Sequence, residues 1–145
     1  MTKVIIFLHL IFLVLAYGSV LFVDFFGLLW ALDKRTKDQM VIIGSTAQIL
    51  IWTGLTGLIV SGVFLRPNFS KPLTQLKMLL VLIIICNGLN LHFVQKAMKS
   101  EKLESFWQLP KKLIVWSTVS ITVSQLAWLG AMIIGFINTS SHFVK

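Results

Sequence analysis

Four long apolar runs, separated by short polar connectors, dominate the chain. They cover residues 4–32, 40–65, 73–94 and 113–137, and each reaches the roughly 20 residues that a helix needs to span the hydrocarbon core. None shows the strict alternation of apolar and polar residues that is typical of a membrane β-barrel strand. The pattern predicts an all-α fold, an integral membrane four-helix bundle that forms a single domain over residues 1–145.

The first run also resembles a signal peptide. Lys3 precedes an apolar segment, and Ala16, Tyr17 and Gly18 approximate a cleavage site. The apolar run nevertheless continues to Leu32, well beyond the length of a signal-peptide core. We therefore expect a retained membrane helix.

The composition excludes an ordinary soluble domain, because 57% of the residues are hydrophobic and only 12% are charged. The net charge of +8 arises from basic residues in the connectors and at the ends of the runs, with no recognition element between them, so we expect a lipid bilayer and no nucleic acid as partner. The single cysteine, Cys86, lies in an apolar run and is expected to be a small core residue. Phosphate-binding loops, zinc-binding motifs and nucleophile elbows are missing from the sequence.

Basic residues are distributed unevenly between the two ends of the predicted helices. One side carries Lys34, Arg35, Lys37, Lys96, Lys99, Lys102, Lys111 and Lys112, and the other carries Lys3, Arg66, Lys71, Lys77 and Lys145. By the positive-inside rule, the first and third connectors are cytoplasmic. Both termini would then lie outside the cytoplasm, in a bacterial-type inner membrane.

The third predicted helix has a polar face. At about 100° per residue this face consists of Lys77, Gly88, His92 and Gln95, flanked by Asn87 and Asn90. A charged side chain at membrane depth costs about 2.5–3.5 kcal/mol, so we expect the face to turn toward protein or water. Two interpretations stay open. In one, the asparagines are interhelical hydrogen-bond partners and Lys77 reaches the headgroups; in the other, the face is a functional site.

The first predicted helix carries a second ionisable pair. One face holds His9, Leu13, Ala16, Val20, Asp24 and Gly27, with Tyr17 just beside it. An unpaired carboxylate in a low dielectric is costly, so Asp24 needs a proton or a partner. His92 is the candidate partner.

The spacing of these residues suggests two layers. Asp24 follows His9 by fifteen residues and His92 follows Lys77 by fifteen, which is about 22 Å along each helix axis. Because the first and third helices cross in the same direction, His9 would lie level with Lys77, and Asp24 level with His92. The alternative is a coincidence between two helices of similar length.

The same depths exclude His9 and His92 as joint ligands of one haem iron between these helices. The iron of a bound haem would then have a single histidine as axial ligand, or a second axial ligand from another group. His142 follows the fourth helix and is either such a group or a solvated residue of the tail.

Small residues mark the second and fourth helices. Gly54, Gly57 and Ser61 are close in phase on the second, with Gly44, Gln48 and Gly62 on a neighbouring face; the fourth carries Ser117, Ser120, Ser124, Ala131 and Gly135. Such faces favour close helix contact. Near the predicted cytoplasmic interface, Trp30, Trp107 and Trp116 are expected as anchors, and residues 101–107 as a short amphipathic segment.

Three short motifs resemble a known group of proteins. They are Leu8-His9-Leu10, Thr56-Gly57 with Arg66, and Gln75-Leu76-Lys77 opening an aliphatic helix. Together they resemble the small four-helix haem-related membrane proteins of the HemJ-type protoporphyrinogen oxidase and CopD-like group. The resemblance implies a histidine and a lysine acting together in haem or porphyrinogen binding, here His9 and Lys77.

The resulting hypothesis is a protein that binds haem b or a related tetrapyrrole between helices 1 and 3. His9 would be the metal ligand, Lys77 and Tyr17 would help to bind the cofactor, and Asp24 with His92 would form a catalytic, proton-active pair. The resemblance makes a membrane oxidoreductase of the protoporphyrinogen oxidase type the candidate enzyme. The alternatives are a non-catalytic accessory or assembly subunit of a larger membrane complex and a proton-coupled transporter component that uses Asp24 and His92. Besides the bilayer, the candidate partners are a larger membrane protein and further copies of the chain in a homo-oligomer.

Overall fold

The computed structural model of the protein describes residues 2–100 and 105–143, with side chains described over 2–96 and 105–138. Over these ranges it contains helices α1 (Thr2–Ala31), α2 (Lys37–Phe64), α3 (Pro72–Ser100) and α4 (Lys111–Phe143), a short 3-10 helix (Phe106–Gln108), and no strand. Each α-helix contains a segment long and apolar enough to cross a membrane. The predicted fold class, an all-α integral membrane protein with four helices, is confirmed.

The helices form two compact units. In the first unit, α1 packs against α2, and the 3-10 helix belongs to it; in the second, α3 packs against α4. Each unit is therefore a helical hairpin, which we call the first and second hairpin. That the two hairpins form a single domain stays a prediction.

The ends of α2 and α3 follow from local sequence. Thr36 caps the start of α2 in a capping box. Its hydroxyl accepts a hydrogen bond from the backbone N–H of Gln39, and the Gln39 side chain accepts one from the backbone N–H of Thr36, both at 3.4 Å. At the other end Arg66 adopts a positive φ of 48° before Pro67, which cannot continue the helix. Pro72 opens α3, where a missing N–H costs nothing.

The end of α1 is closed by a residue in the left-handed conformation. Asp33 has a φ of 53°, and the bonds from Lys34 N–H to Leu29 O and from Asp33 N–H to Trp30 O form the Schellman pattern. The Asp33 carboxylate also accepts a hydrogen bond from Ser105 Oγ at 2.8 Å. The connector between α3 and α4 is thereby attached to the end of α1.

Two aromatic residues strengthen this attachment. The Trp107 indole N–H donates to Ala31 O at 2.9 Å, which satisfies one of the carbonyls that a helix end leaves without a partner. The Phe106 ring packs edge-on against Trp30, with 5.2 Å between the ring centroids. Of the predicted amphipathic segment 101–107, residues 101–104 lie outside the described residues.

Two predictions about single residues are wrong. Trp30 was expected as an interfacial anchor but is only 3% exposed, and among the described atoms its indole N–H has no hydrogen-bond partner. Cys86 was expected in the core but is exposed on α3. The predicted anchors Trp107 and Trp116 are both exposed.

Candidate functional site

His9 lies on the face of α1 that packs against α2. Its Nδ1 atom is 2.8 Å from Ser61 Oγ, and a Cβ added to Gly62 would lie 3.6 Å from His9 Cε1. Ser61 is 6% exposed, and His9 is half-buried. The imidazole is therefore held against α2 within the first hairpin.

Two glycines of α2 bring the helices close enough for this contact. A Cβ on Gly54 would lie 2.7 Å from Ala16 N and 2.9 Å from Phe12 O, and a side chain on Gly57 would overlap the Phe12 ring. Ala16 is fully buried at 0% exposure. The small-residue contact face predicted for α2 is confirmed.

The remaining candidates on α1 lie further along the helix. Tyr17 and Asp24 are half-buried, and Val20 between them is buried. At the far end of the same face, a Cβ on Gly27 would lie 3.6 Å from the Met40 side chain of α2. The face that holds His9 and Gly27 thus contacts α2, a neighbour that the sequence did not identify.

Lys77 lies against α4 in the second hairpin. Its Nζ is 3.3 Å from the position that a Cβ of Gly135 would take, and its Cε is 3.9 Å from it. The side chain is half-buried. The absence of a side chain at Gly135 leaves room for the ammonium group.

The two asparagines of α3 bond to a single residue of α4. Asn87 Nδ2 donates to Ser120 O at 2.8 Å, and Asn90 Nδ2 donates to Ser120 Oγ at 2.9 Å. Ser120 is buried at 3% exposure. The interpretation of these asparagines as interhelical hydrogen-bond partners is confirmed.

His92 differs from the other candidates in its surroundings. It is exposed on α3, and its ring lies edge-on to Phe93 with 6.0 Å between centroids. The proposed pairs of His9 with Lys77 and of Asp24 with His92 join residues of different hairpins, and both stay predictions.

The described residues were compared with the requirements of a metal site. Among the described residues, no group of three or more His, Cys, Asp and Glu side chains lies close enough to hold a metal ion. A haem iron requires only one or two axial ligands from the protein, so His9 fits that role. The side chain of His142, the other candidate ligand, lies outside the described residues.

Ser61 and Gly135 were not recognised from the sequence as neighbours of His9 and Lys77. The sequence positions could have predicted the partner of His9, because two residues at the same depth in a helical hairpin are separated from its turn by the same number of residues. His9 and Ser61 are each 26 residues from position 35 (35 − 9 and 61 − 35), in the connector between α1 and α2. Ala16 and Gly54 are each 19 residues from it.

Comparison of the chain with protein-family models, with curated proteins and with solved structures found no match.

Proposed function

We propose that this multi-pass membrane protein binds haem b or a related tetrapyrrole and uses His9 as the iron ligand, in a redox or haem-handling role. The supporting observation is the contact between His9 Nδ1 and Ser61 Oγ at 2.8 Å. Histidines that ligate a metal almost always donate the N–H of their other ring nitrogen to an acceptor, which fixes the ring and raises its basicity. His9 has such a neighbour within the first hairpin.

Lys77 serves this function as a cation for a propionate or a substrate carboxylate. It lies near the start of α3 on the side of the membrane where the proposed topology places His9, and the space over Gly135 accommodates its ammonium group. Tyr17 is eight residues beyond His9 on α1, about 12 Å deeper along the axis, where it would contact the macrocycle.

The catalytic form of the proposal is a membrane oxidoreductase of the protoporphyrinogen oxidase type. In it, Asp24 and His92 exchange protons with the substrate, because a carboxylate and an imidazole are side chains that serve as general acids and bases. The pair requires the two hairpins to bring α1 and α3 together.

The test of haem binding is the absorption spectrum of protein purified from haem-supplied membranes. We expect a Soret band that is lost in His9→Ala. His92→Ala is the control, since it removes a histidine of a membrane helix that is not proposed as a ligand, and it should keep the band. A wild-type protein that shows no Soret band as purified, and whose Soret absorbance after titration with haemin is the same as that of free haemin in the same detergent, contradicts the proposal.

A non-catalytic accessory or assembly subunit is the second candidate. Its motive is the small-residue faces on α2 and α4, which offer more packing surface than a bundle of four helices needs. In the structure, Gly54 and Gly57 contact α1, while Gly130 and Gly135 lie against Leu80 and Lys77 of α3. These glycines pack within each hairpin, so their presence alone does not call for a protein partner. Purification of the chain in constant stoichiometry with a second membrane protein would favour the accessory role.

A further inference from the structure

Three atoms of the first hairpin form a short chain of polar contacts. His9 Nδ1 lies 2.8 Å from Ser61 Oγ, and Ser61 Oγ lies 2.6 Å from Gly57 O, one turn earlier in α2. Leu58 O is a more distant neighbour of the hydroxyl, at 3.3 Å. The chain runs from α1 to the backbone of α2.

The distance between the two oxygens identifies the direction of the bonds. Two oxygen atoms approach to 2.6 Å only with a hydrogen between them. The carbonyl of Gly57 has none to give, so the hydroxyl hydrogen of Ser61 points to it. A serine hydroxyl has a single hydrogen, and its oxygen is left with lone pairs for His9.

We infer that Ser61 is a positioning residue that holds neutral His9 in the tautomer protonated at Nδ1. Nε2 is then the ring nitrogen that carries the lone pair, for an iron ion or a proton. The identity of that partner rests on the proposed function, whereas the tautomer does not.

The fixed tautomer matters for either partner. An imidazole that donates from Nδ1 binds a metal through Nε2 without first exchanging a proton between its nitrogens. Loss of such a supporting hydrogen bond typically weakens metal binding by about 10- to 100-fold. Ser61 would thus set both the orientation and the basicity of His9.

The tautomer is measured directly by nitrogen NMR of protein labelled with ¹⁵N-histidine, at about pH 8.5, where an ordinary imidazole is neutral. His9→Ala assigns the signals. We expect wild-type His9 to show a protonated Nδ1 and an unprotonated Nε2. A wild-type ring protonated at Nε2 overturns the inference without any variant of Ser61.

Two variants of Ser61 separate positioning from packing. Ser61→Ala should allow both tautomers of His9, and Ser61→Thr, which keeps the hydroxyl, should restore the single tautomer. Gly62→Ala is the packing control, because its Cβ would lie in ordinary contact with His9 Cε1 at 3.6 Å and should leave the tautomer unchanged. A His9 tautomer that is the same in Ser61→Ala as in the wild type contradicts the inference.

The same samples distinguish this inference from the proposed function. A protein with the Nδ1-protonated tautomer and no Soret band refutes haem binding and leaves the role of Ser61 intact. A protein that binds haem, and in which His9 has the same tautomer in the wild type and in Ser61→Ala, refutes the role of Ser61 and leaves haem binding intact.

Discussion

Gly54 of α2 and Ala16 of α1 are in such close contact that a Cβ on Gly54 would lie 2.7 Å from the Ala16 backbone nitrogen. Backbone atoms cannot move aside as a flexible side chain can. The two helices would have to separate, which would also lengthen the contact between His9 and Ser61 about two turns away.

Gly54→Ala is therefore expected to destabilise the first hairpin by about 1–3 kcal/mol, the usual cost of overfilling a packed interface. The measurement is the free energy of unfolding in a denaturing-detergent titration. Gly18→Ala is the matched control, since an added Cβ there would meet nothing within 4 Å. Equal stabilities of the two variants would contradict the close contact.

The hydrogen bond between Asn90 and Ser120 should be visible as an energetic coupling. Interhelical hydrogen bonds in membranes contribute about 0.6 kcal/mol on average, and a double-mutant cycle of Asn90→Ala with Ser120→Ala should give a value of that size. Asn87 donates to the Ser120 backbone carbonyl, which Ser120→Ala retains. The cycle of Asn87→Ala with Ser120→Ala should therefore give a coupling energy near zero. A larger coupling energy for Asn87 than for Asn90 would show that the two hydrogen bonds are wrongly assigned.

Lys77 should contribute charge to cofactor binding if the proposed function holds. Lys77→Gln removes the charge with little change in length, and we expect the Kd for haemin to rise about tenfold, equivalent to about 1.4 kcal/mol. Lys71→Gln removes a charge from an exposed position in the preceding connector and should leave the Kd unchanged. An equal loss of affinity in both variants would point to general electrostatic attraction.

Trp107 should protect the end of α1. Trp107→Phe keeps an aromatic ring but removes the indole N–H that bonds to Ala31 O, an interaction worth about 0.5–1.5 kcal/mol. We expect faster hydrogen exchange in peptides that cover residues 28–34, measured by mass spectrometry. Trp116→Phe, at an exposed indole of α4, is the control and should leave that exchange unchanged.

The helices and their packing faces were largely predictable from the sequence. Length and apolar content predict four spanning helices, and small residues predict the side of α2 that contacts α1, at Gly54 and Gly57. Asn87 and Asn90 were predictable as interhelical hydrogen-bond partners because the lipid tails offer an amide side chain no hydrogen-bond partner, so it bonds to a neighbouring helix. These signals are local properties of one helix.

The partners of individual residues were harder to predict. Periodicity places His9 on a face of α1 but does not say which helix that face contacts. Hydrophobicity does not help, because side chains that face lipid are as apolar as buried ones. For this reason Cys86 was wrongly expected to be buried. The prediction for Trp30 was wrong because a tryptophan near a helix end is compatible with two roles. It can be an interfacial anchor, or it can pack against an aromatic residue distant in sequence, which here is Phe106.

The attachment of Trp107 to Ala31 has a consequence for biosynthesis. The two residues are 76 positions apart, so the ribosome completes α1, α2 and α3 before the indole that donates to the end of α1 has been made. A nascent chain released before Ser105 lacks all three side chains, those of Ser105, Phe106 and Trp107, that contact the end of α1 and the residues just after it. The first hairpin can insert early, yet it reaches its final form only when translation has passed the third connector.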